Sequence, residues 1–146
     1  MLKLSTRGRY AARIMVYLAM REESAPARKQ DIATAEDISG DYVEQILMRL
    51  RSAGLVESHR GARGGFTLAR PAERISVADV LEATEGKLAL APCRATGCRR
   101  ATGCSTRRVW ERAEQAVREV LEQASIRQLA DDARARRDSE GMTFHI

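Results

Sequence analysis

The feature that most constrains the fold is a helical apolar pattern that runs directly into a basic, glycine-rich hairpin. Apolar residues at positions 43, 46, 47 and 50 follow the i, i+3, i+4, i+7 spacing of one helix face. Gly54 then suits a left-handed helix cap. The segments 55–59 and 66–69 are predicted to be short strands, and the intervening 60–65 holds three glycines and two arginines, as a hairpin tip requires. This combination predicts a small β wing beside an otherwise helical unit.

The residues upstream predict two more helices. Residues 5–22 carry an apolar stripe at helical spacing, with Ser5 or Thr6 as the expected N-cap. A shorter polar helix is expected over 29–35, and a tight turn over 37–39 joins it to the third helix. Helix, short helix, turn, helix and hairpin in this order predict a winged helix-turn-helix within residues 1–85.

The third helix presents a polar face that suits a DNA major groove. Gln45 can form two hydrogen bonds with adenine, and Glu44 can accept one from a cytosine amino group. Arg60 and Arg63 in the hairpin can reach phosphates or the adjacent minor groove. Three more candidate contacts share or flank the helix face, namely Asp41, Tyr42 and Arg49. The alternative, an ordinary amphipathic helix beside a solvated turn, requires five elements to occur in this order by chance.

Charge and composition narrow the possible functions. The formal net charge of +5 and a pI of about 9.6 favour a polyanionic partner. The spacing of Gly61 and Gly64 matches an RNA-binding KH loop, but that loop joins helices, and six aromatics supply an RNA-stacking sheet poorly. With two well-separated histidines and scattered acids, no catalytic constellation can be assembled, so an enzyme is not expected. The longest uncharged run near the N-terminus, 14–20, is too short for a signal peptide or membrane span, which predicts a cytoplasmic protein without a membrane partner.

All three cysteines lie in one loop that contains no large aliphatic residue. Cys93, Cys98 and Cys104 are separated by five and six positions, which match no helix or strand face. A core role for these thiols is therefore not expected. The neighbouring arginines favour the thiolate, which is both the nucleophile and the metal ligand. An iron-sulfur cluster, a zinc site with a fourth ligand and a reversible disulfide all remain open.

The rest of the chain predicts three further helices. A Ser-x-x-Asp capping box at Ser76 predicts a short helix that ends near residues 85–86. A long apolar stripe with charges opposite begins at Thr106, and in a chain this small such a helix is expected to pair with its copy in a homodimer. A short last helix is expected around 126–130 and a mobile segment over 134–140, after which Met142, Phe144 and Ile146 alternate as a short extended segment would. The predicted organisation is thus 1–85 for DNA binding, 86–105 as a sensing loop, 106–135 for dimerisation and the C-terminal helix, and 136–146 as a tail.

Longer motifs cover most of the N-terminal unit. They are Leu4-Ser5-Thr6-Arg7-Gly8-Arg9-Tyr10, Ile38-Ser39, Tyr42-Val43-Glu44-Gln45-Ile46, Leu50-Arg51-x-x-Gly54-Leu55-Val56 and Arg60-Gly61-x-x-Gly64-Gly65. These motifs resemble the IscR, NsrR and CymR group of bacterial transcription regulators, the Rrf-two family. The resemblance spans residues 1 to about 130 and implies a homodimeric winged-helix repressor or activator on a palindromic operator. By motif position it implies DNA contacts at Tyr42, Glu44, Gln45, Arg60 and Gly61, with backbone support from Ser5, Arg7 and Tyr10.

The same resemblance implies an iron-sulfur cluster, of the 2Fe-2S or 4Fe-4S type. In cluster-binding relatives three cysteines of this loop ligate iron, and Cys93, Cys98 and Cys104 occupy those places. IscR-like members have a histidine three residues after the third cysteine, where this chain has Arg107, which stays protonated and cannot ligate. NsrR-like members use an aspartate near the N-terminus, where this chain has Gly8. The fourth ligand is therefore unidentified, and CymR-like members lack the cysteines altogether.

Three hypotheses follow for the function. The leading one is a DNA-binding regulator whose cluster modulates operator affinity in response to redox, iron, nitric oxide or sulfur status. The second keeps the DNA-binding role and makes the cysteines a thiol-disulfide switch. The third is a protein-interaction module that docks on an acidic partner through its basic wing and does not bind DNA.

Overall fold

The computed structural model describes residues 3–21, 25–91, 97–100 and 102–143. Within these ranges the protein is mainly α-helical with one two-stranded sheet. The helices are α1 (Thr6–Met20), α2 (Lys29–Glu36), α3 (Gly40–Ser52), α4 (Val77–Glu85), α5 (Arg107–Gln123) and α6 (Ile126–Thr143), and the strands are β1 (Val56–His59) and β2 (Gly65–Leu68). A short 3-10 turn, Ala72–Arg74, precedes α4. None of the helices in the described ranges is long and apolar enough to cross a membrane.

A single apolar cluster joins the helices of the N-terminal unit to α6. The α3 positions 43, 46, 47 and 50, which share one face by their spacing, are all buried, as the sequence predicts. Helix α1 packs against both α4 and α6, so the cluster lies around α1. The largest fully buried side chains are Ile14, Met15, Ile32, Val43, Ile46, Leu47, Leu50, Leu55, Val56, Ile75, Val80 and Ile126.

The turn between α2 and α3 has the geometry expected of a helix-turn-helix. Asp37 adopts a left-handed conformation with φ of 53°, which ends α2. Ser39 then caps α3, its hydroxyl accepting the Tyr42 backbone N–H at 3.2 Å. At the other end of α3, Gly54 has φ of 72°, as the sequence predicts for a left-handed cap. The polar face of α3 is therefore held at a defined angle to α2.

The wing is an antiparallel hairpin that is anchored to the segment before α2. Val56 lies opposite Leu68 and Ser58 opposite Phe66, so these four residues share a face. Strand β1 begins one residue later than predicted, and β2 begins and ends one residue earlier than predicted. Phe66 also exchanges two backbone hydrogen bonds with Ala27, at 2.8 and 3.0 Å. This bridge fixes the tip end of the wing relative to α2.

The C-terminal part agrees with the sequence at α4 and α5 and departs from it at α6. The Ser76 capping box is present and α4 ends before Gly86, as predicted. The predicted short last helix and the mobile segment 134–140 are wrong, because α6 continues unbroken from Ile126 to Thr143 and so into the predicted tail. No large apolar residue occurs between Leu129 and Met142, but residues 133–137 consist of two alanines and three arginines, which favour helix intrinsically. Met142 is helical rather than extended, while Phe144 and Ile146 lie outside the described residues.

Candidate nucleic-acid interface and cysteine loop

The exposed face of α3 collects most of the side chains predicted to contact DNA. Asp41, Glu44, Gln45 and Arg49 are exposed, whereas Tyr42 is half-buried at the first turn. Met48 belongs to the same face and is 62% exposed. The face is largely polar, and its exposed side chains can meet base edges in a major groove.

The wing carries the predicted cationic residues at its tip. Arg60, Gly61 and Arg63 are all exposed, and Gly61 has φ of 102°, which only glycine adopts without strain. Arg28, just before α2, donates from Nη2 to the Ala62 carbonyl oxygen at 2.8 Å. No sequence pattern predicts this contact, because its partners are 34 positions apart and one of them is a backbone atom.

Lys29 makes a second contact that the sequence did not predict. Its ammonium lies 2.7 Å from Oε2 of Glu44, so α2 reaches directly onto the polar face of α3. The pKa of Lys29 is raised, and the hydrogen bond to Glu44 is the largest cause. The negative charges of Glu44 and Asp41 raise it further. Lys29 therefore stays protonated next to this face at physiological pH.

A chain of contacts fixes the start of α3 to α1 and α2. The rings of Tyr10 and Tyr42 meet edge to face, with centroids 6.1 Å apart and planes at 82°. The guanidinium of Arg13 lies 5.3 Å from the Tyr10 centroid, and its Nε is 2.6 Å from Oε2 of Glu36. Glu36 is buried, and this contact is an ion pair without hydrogen-bond alignment. Tyr10, a predicted DNA-contacting residue, thus also packs against the start of α3, the helix that is predicted to read DNA.

Ser5 and Arg7 are the other two residues of the N-terminal segment that are predicted to support DNA binding. Ser5 has hydrogen-bond partners within the protomer, and Arg7 is partly covered. Ser5 caps α1 by accepting the Gly8 backbone N–H at 3.1 Å and donates to Oε1 of Glu85 at 2.5 Å. Arg7 is half-buried, and its Nε has no hydrogen-bond partner among the described residues. The Ser5 side chain therefore contacts the C-terminal end of α4, whereas the Tyr10 ring contacts Tyr42 at the start of α3.

Cys104 lies immediately before α5, in surroundings that favour its thiolate. Its Sγ is 3.3 Å from Oγ1 of Thr106. That hydrogen bond lowers the pKa of Cys104 most, followed by the backbone N–H groups of Thr106 and Arg107 and by the charge of Arg100. A helix N-terminus with these donors stabilises a sulfur anion.

The two described cysteines, Cys98 and Cys104, carry thiols of the kind that bind a metal ion or an iron-sulfur cluster as thiolates. Cys98 is exposed and Cys104 is half-buried, and both are free thiols, while Cys93 lies outside the described residues. Arg107 pairs with Glu111 at 2.8 Å, consistent with its exclusion as a ligand. Over the described ranges, no three His, Cys, Asp or Glu side chains are gathered in a way that could hold a metal ion.

Helix α5 exposes an apolar strip that no described part of the chain covers. No residue of α5 is buried, and Val109, Trp110 and Val120 are 57%, 45% and 67% exposed. On another side of the helix, Arg118 reaches Glu82 of α4 at 2.7 Å. One side of α5 is therefore attached to the protomer, and its apolar strip faces outward.

The fold and this arrangement define a class, the winged-helix transcription regulators, and comparison with known proteins supports it. The family model described as "Rrf2: Iron-dependent Transcriptional regulator" matches residues 4–132. The IscR regulator of Xenorhabdus nematophila is 33% identical over 145 residues, which is 95% of this chain and 88% of the relative. The structure of CymR, the global cysteine regulator of B. subtilis, is similar with a TM-score of 0.77 and 36% identity, covering 90% of this chain and 98% of that chain. The structure of T. potens IscR gives a TM-score of 0.75 and 35% identity, covering 90% and 88%.

The chain belongs to the Rrf2 family of DNA-binding transcription regulators. The predicted family and the predicted winged-helix fold are confirmed. Because the family consists of regulators rather than enzymes, the prediction that the chain is not an enzyme is confirmed as well.

Proposed function

We propose that the protein is a cytoplasmic homodimeric regulator that reads a palindromic operator and uses its cysteine loop as an iron-sulfur sensor. The observation that carries this proposal is the placement of Cys104 at the start of α5. This helix exposes its apolar strip, while the α3 face and the basic wing remain open on the same chain. Sensing, self-association and DNA reading would then share one short polypeptide.

For DNA reading, α3 would enter the major groove and the wing would meet the backbone beside it. Gln45 and Glu44 would read bases, and Arg60, Gly61 and Arg63 would contact phosphates or the minor groove. The remaining proposed contacts are Asp41, Tyr42 and Arg49 on α3, and Ser5, Arg7 and Tyr10 on the N-terminal segment. Two α3 helices of a dimer would have to lie about 34–36 Å apart to meet half-sites one turn apart.

The cluster would be held by Cys93, Cys98 and Cys104, with a fourth ligand from outside this set, such as a carboxylate or hydroxyl of the partner subunit or a small thiol. When bound, it would supply sensitivity to oxidants and to iron supply. Cys104 would contribute a thiolate that Thr106 and the α5 N-terminus stabilise. Release of Cys104 would free the start of α5, and a shift of α5 would change the separation of the two α3 helices.

The DNA-reading role can be tested by selection from a random-sequence duplex library, followed by affinity titration of the enriched duplex. Gln45→Ala is expected to weaken binding to the enriched duplex by about 1–3 kcal/mol and to relax base preference. Arg63→Ala is expected to weaken binding to all duplexes alike and to reduce the salt dependence. Equal losses on enriched and random duplexes for both variants would contradict the assignment of base reading to Gln45. Weak binding to every duplex at low salt would instead favour the protein-interaction module.

The cluster can be tested by purification without oxygen, with a visible spectrum and analysis of iron and acid-labile sulfide. We expect a coloured protein that contains both, and the colour should be lost in a Cys104→Ser variant. A colourless protein without iron or sulfide would refute the cluster.

The second candidate, a thiol-disulfide switch, is favoured by the exposure of Cys98 and by the stabilised thiolate of Cys104. Counting free thiols before and after peroxide, together with intact mass, separates it from the cluster. The loss of two thiols with a mass decrease of about 2 Da, in a protein without iron, would support the disulfide.

A further inference from the structure

The start of α2 lies against the recognition helix at one specific side chain. The stem of Lys29 passes over the start of α3, where its Cε lies 3.7 Å from the position that a Cβ on Gly40 would occupy. The ammonium then meets Oε2 of Glu44 at 2.7 Å, and Oε1 has no hydrogen-bond partner among the described residues. Lys29 therefore holds one oxygen of Glu44 and leaves Oε1 available as a hydrogen-bond acceptor.

This ion pair lies on the surface, where such pairs contribute little to folding stability. The side chains of Lys29 and Glu44 are 41% and 53% exposed. Its effect is instead on the charge that the α3 face presents. Without Lys29, Glu44 and Asp41 would approach DNA as two carboxylates, and duplex DNA carries one negative charge per about 1.7 Å of axis. Lys29 compensates part of that charge at the place where α3 would meet the groove.

We propose that Lys29 is a positioning residue that determines base specificity by holding Glu44 for readout of a cytosine. This inference rests on the DNA-reading function proposed above. With Oε2 fixed by Lys29, Oε1 of Glu44 accepts a hydrogen bond from the cytosine 4-amino group. Thymine presents a carbonyl oxygen at that place, and a carboxylate oxygen facing it would be repelled. Restricting Glu44 to one orientation thus converts a general acidic side chain into a selective one.

A different role for Lys29, direct contact with a phosphate, makes a different prediction. A phosphate contact adds affinity for every sequence and contributes about one unit to the slope of log affinity against log salt. A positioning role changes the preference between bases and depends on Glu44. The two roles are therefore separated by measuring base preference and salt dependence on the same variants.

The experiment compares the wild type with Lys29→Met, Glu44→Gln and the double variant. Methionine retains a long unbranched stem without the charge. Lys87→Met serves as the matched control, because it removes one exposed lysine near the end of α4, outside the α3 face. Each protein is used for selection from a random duplex library. Its affinity is then titrated for the duplex that the wild type enriches and for the same duplex with the Glu44-dependent C·G pair changed to T·A. Thermal unfolding by circular dichroism confirms that each variant is folded.

We expect Lys29→Met to reduce the discrimination between the two duplexes by about tenfold, as Glu44→Gln does, and we expect the double variant to be no worse than Glu44→Gln. Lys87→Met should leave discrimination unchanged. The proposal is overturned if Lys29→Met weakens both duplexes equally and lowers the salt slope by about one, or if the two single losses of discrimination simply add. It is also overturned if Glu44→Gln leaves every base preference intact. A wild-type protein that enriches no sequence at all would refute the DNA-reading function itself.

Discussion

The exposed valine near the end of α5 gives the most direct test of self-association. Full burial of a valine side chain contributes about 1.5–3 kcal/mol. Since Val120 is 67% exposed in the protomer, association could gain about 1–2 kcal/mol from each copy. A twofold dimer contains two copies, so Val120→Ser should weaken dimerisation by about 2–4 kcal/mol, or raise the dimer Kd by about 30- to 1000-fold.

Sedimentation equilibrium over a range of protein concentrations measures this Kd. Serine and valine have similar helix propensities, so α5 itself should be unaffected, and far-ultraviolet circular dichroism checks this point. Glu122→Ser is the matched control, because Glu122 is exposed and lies roughly 160° around the helix from Val120. We expect the control to dimerise like the wild type.

Two outcomes would refute this reasoning about α5. One is a Val120→Ser variant whose dimer Kd equals that of the wild type, which would place the subunit contact on another surface. The other is a wild-type chain that stays monomeric at micromolar concentration, in which case the strip around Val120 serves a different purpose. A loss of helix content in the variant would be visible in the dichroism and would be distinguished from a loss of association.

Two further predictions concern the wing and the cysteine loop. Gly65→Ala should weaken binding to the enriched duplex and leave helix content unchanged, because a Cβ there would lie 2.5 Å from the Ala27 carbonyl oxygen and would displace the tip end of the wing. Fluorescence anisotropy measures the affinity and circular dichroism the helix content, and unchanged affinity would contradict the prediction. Thr106→Val should raise the pKa of Cys104 by removing the hydrogen bond that lowers it most, so that alkylation of this thiol in a Cys93→Ser/Cys98→Ser background moves to higher pH. An unchanged pH profile would assign the thiolate stabilisation to the backbone of α5 alone.

The helix-turn-helix and wing could be predicted because their signals are local. The buried positions of α3 repeat at helical spacing, and Ser39 and Gly54 mark its two ends. The glycines of 60–65 likewise specify a hairpin by their backbone freedom rather than by distant contacts. Where the spacing of apolar side chains and the turn residues agree within a few positions, the sequence is sufficient to predict both the secondary-structure element and the face that it buries.

The parts that the sequence did not predict depend on contacts between separate elements or on intrinsic propensity. Lys29 lies on a short polar helix, and the sequence pattern of that helix predicts only that the lysine is exposed to solvent. Its partner Glu44 is 15 positions away on another helix. The length of α6 was missed for a different reason. Its second half has no apolar period to detect, although Arg134 donates to the Ala19 carbonyl oxygen at 3.1 Å and so fixes this helix to α1. Periodicity therefore finds buried faces and overlooks helices held by propensity and a few polar contacts.

Helix α4 joins the two surfaces that the proposed sensing must connect. Its Glu82 accepts a hydrogen bond from Arg118 of α5 at 2.7 Å, and one turn later its Glu85 accepts one from Ser5, the N-cap of α1, at 2.5 Å. Because α5 begins three residues after Cys104, a rearrangement that rotates α5 would act on α4 through Arg118. Helix α4 would pass the displacement to α1 through Ser5, and α1 packs directly on α3. Coupling between sites can be carried by such a contiguous set of contacts. One continuous path from the cysteine loop to α3 would therefore run along the acidic residues of α4, a helix that also packs directly on α3.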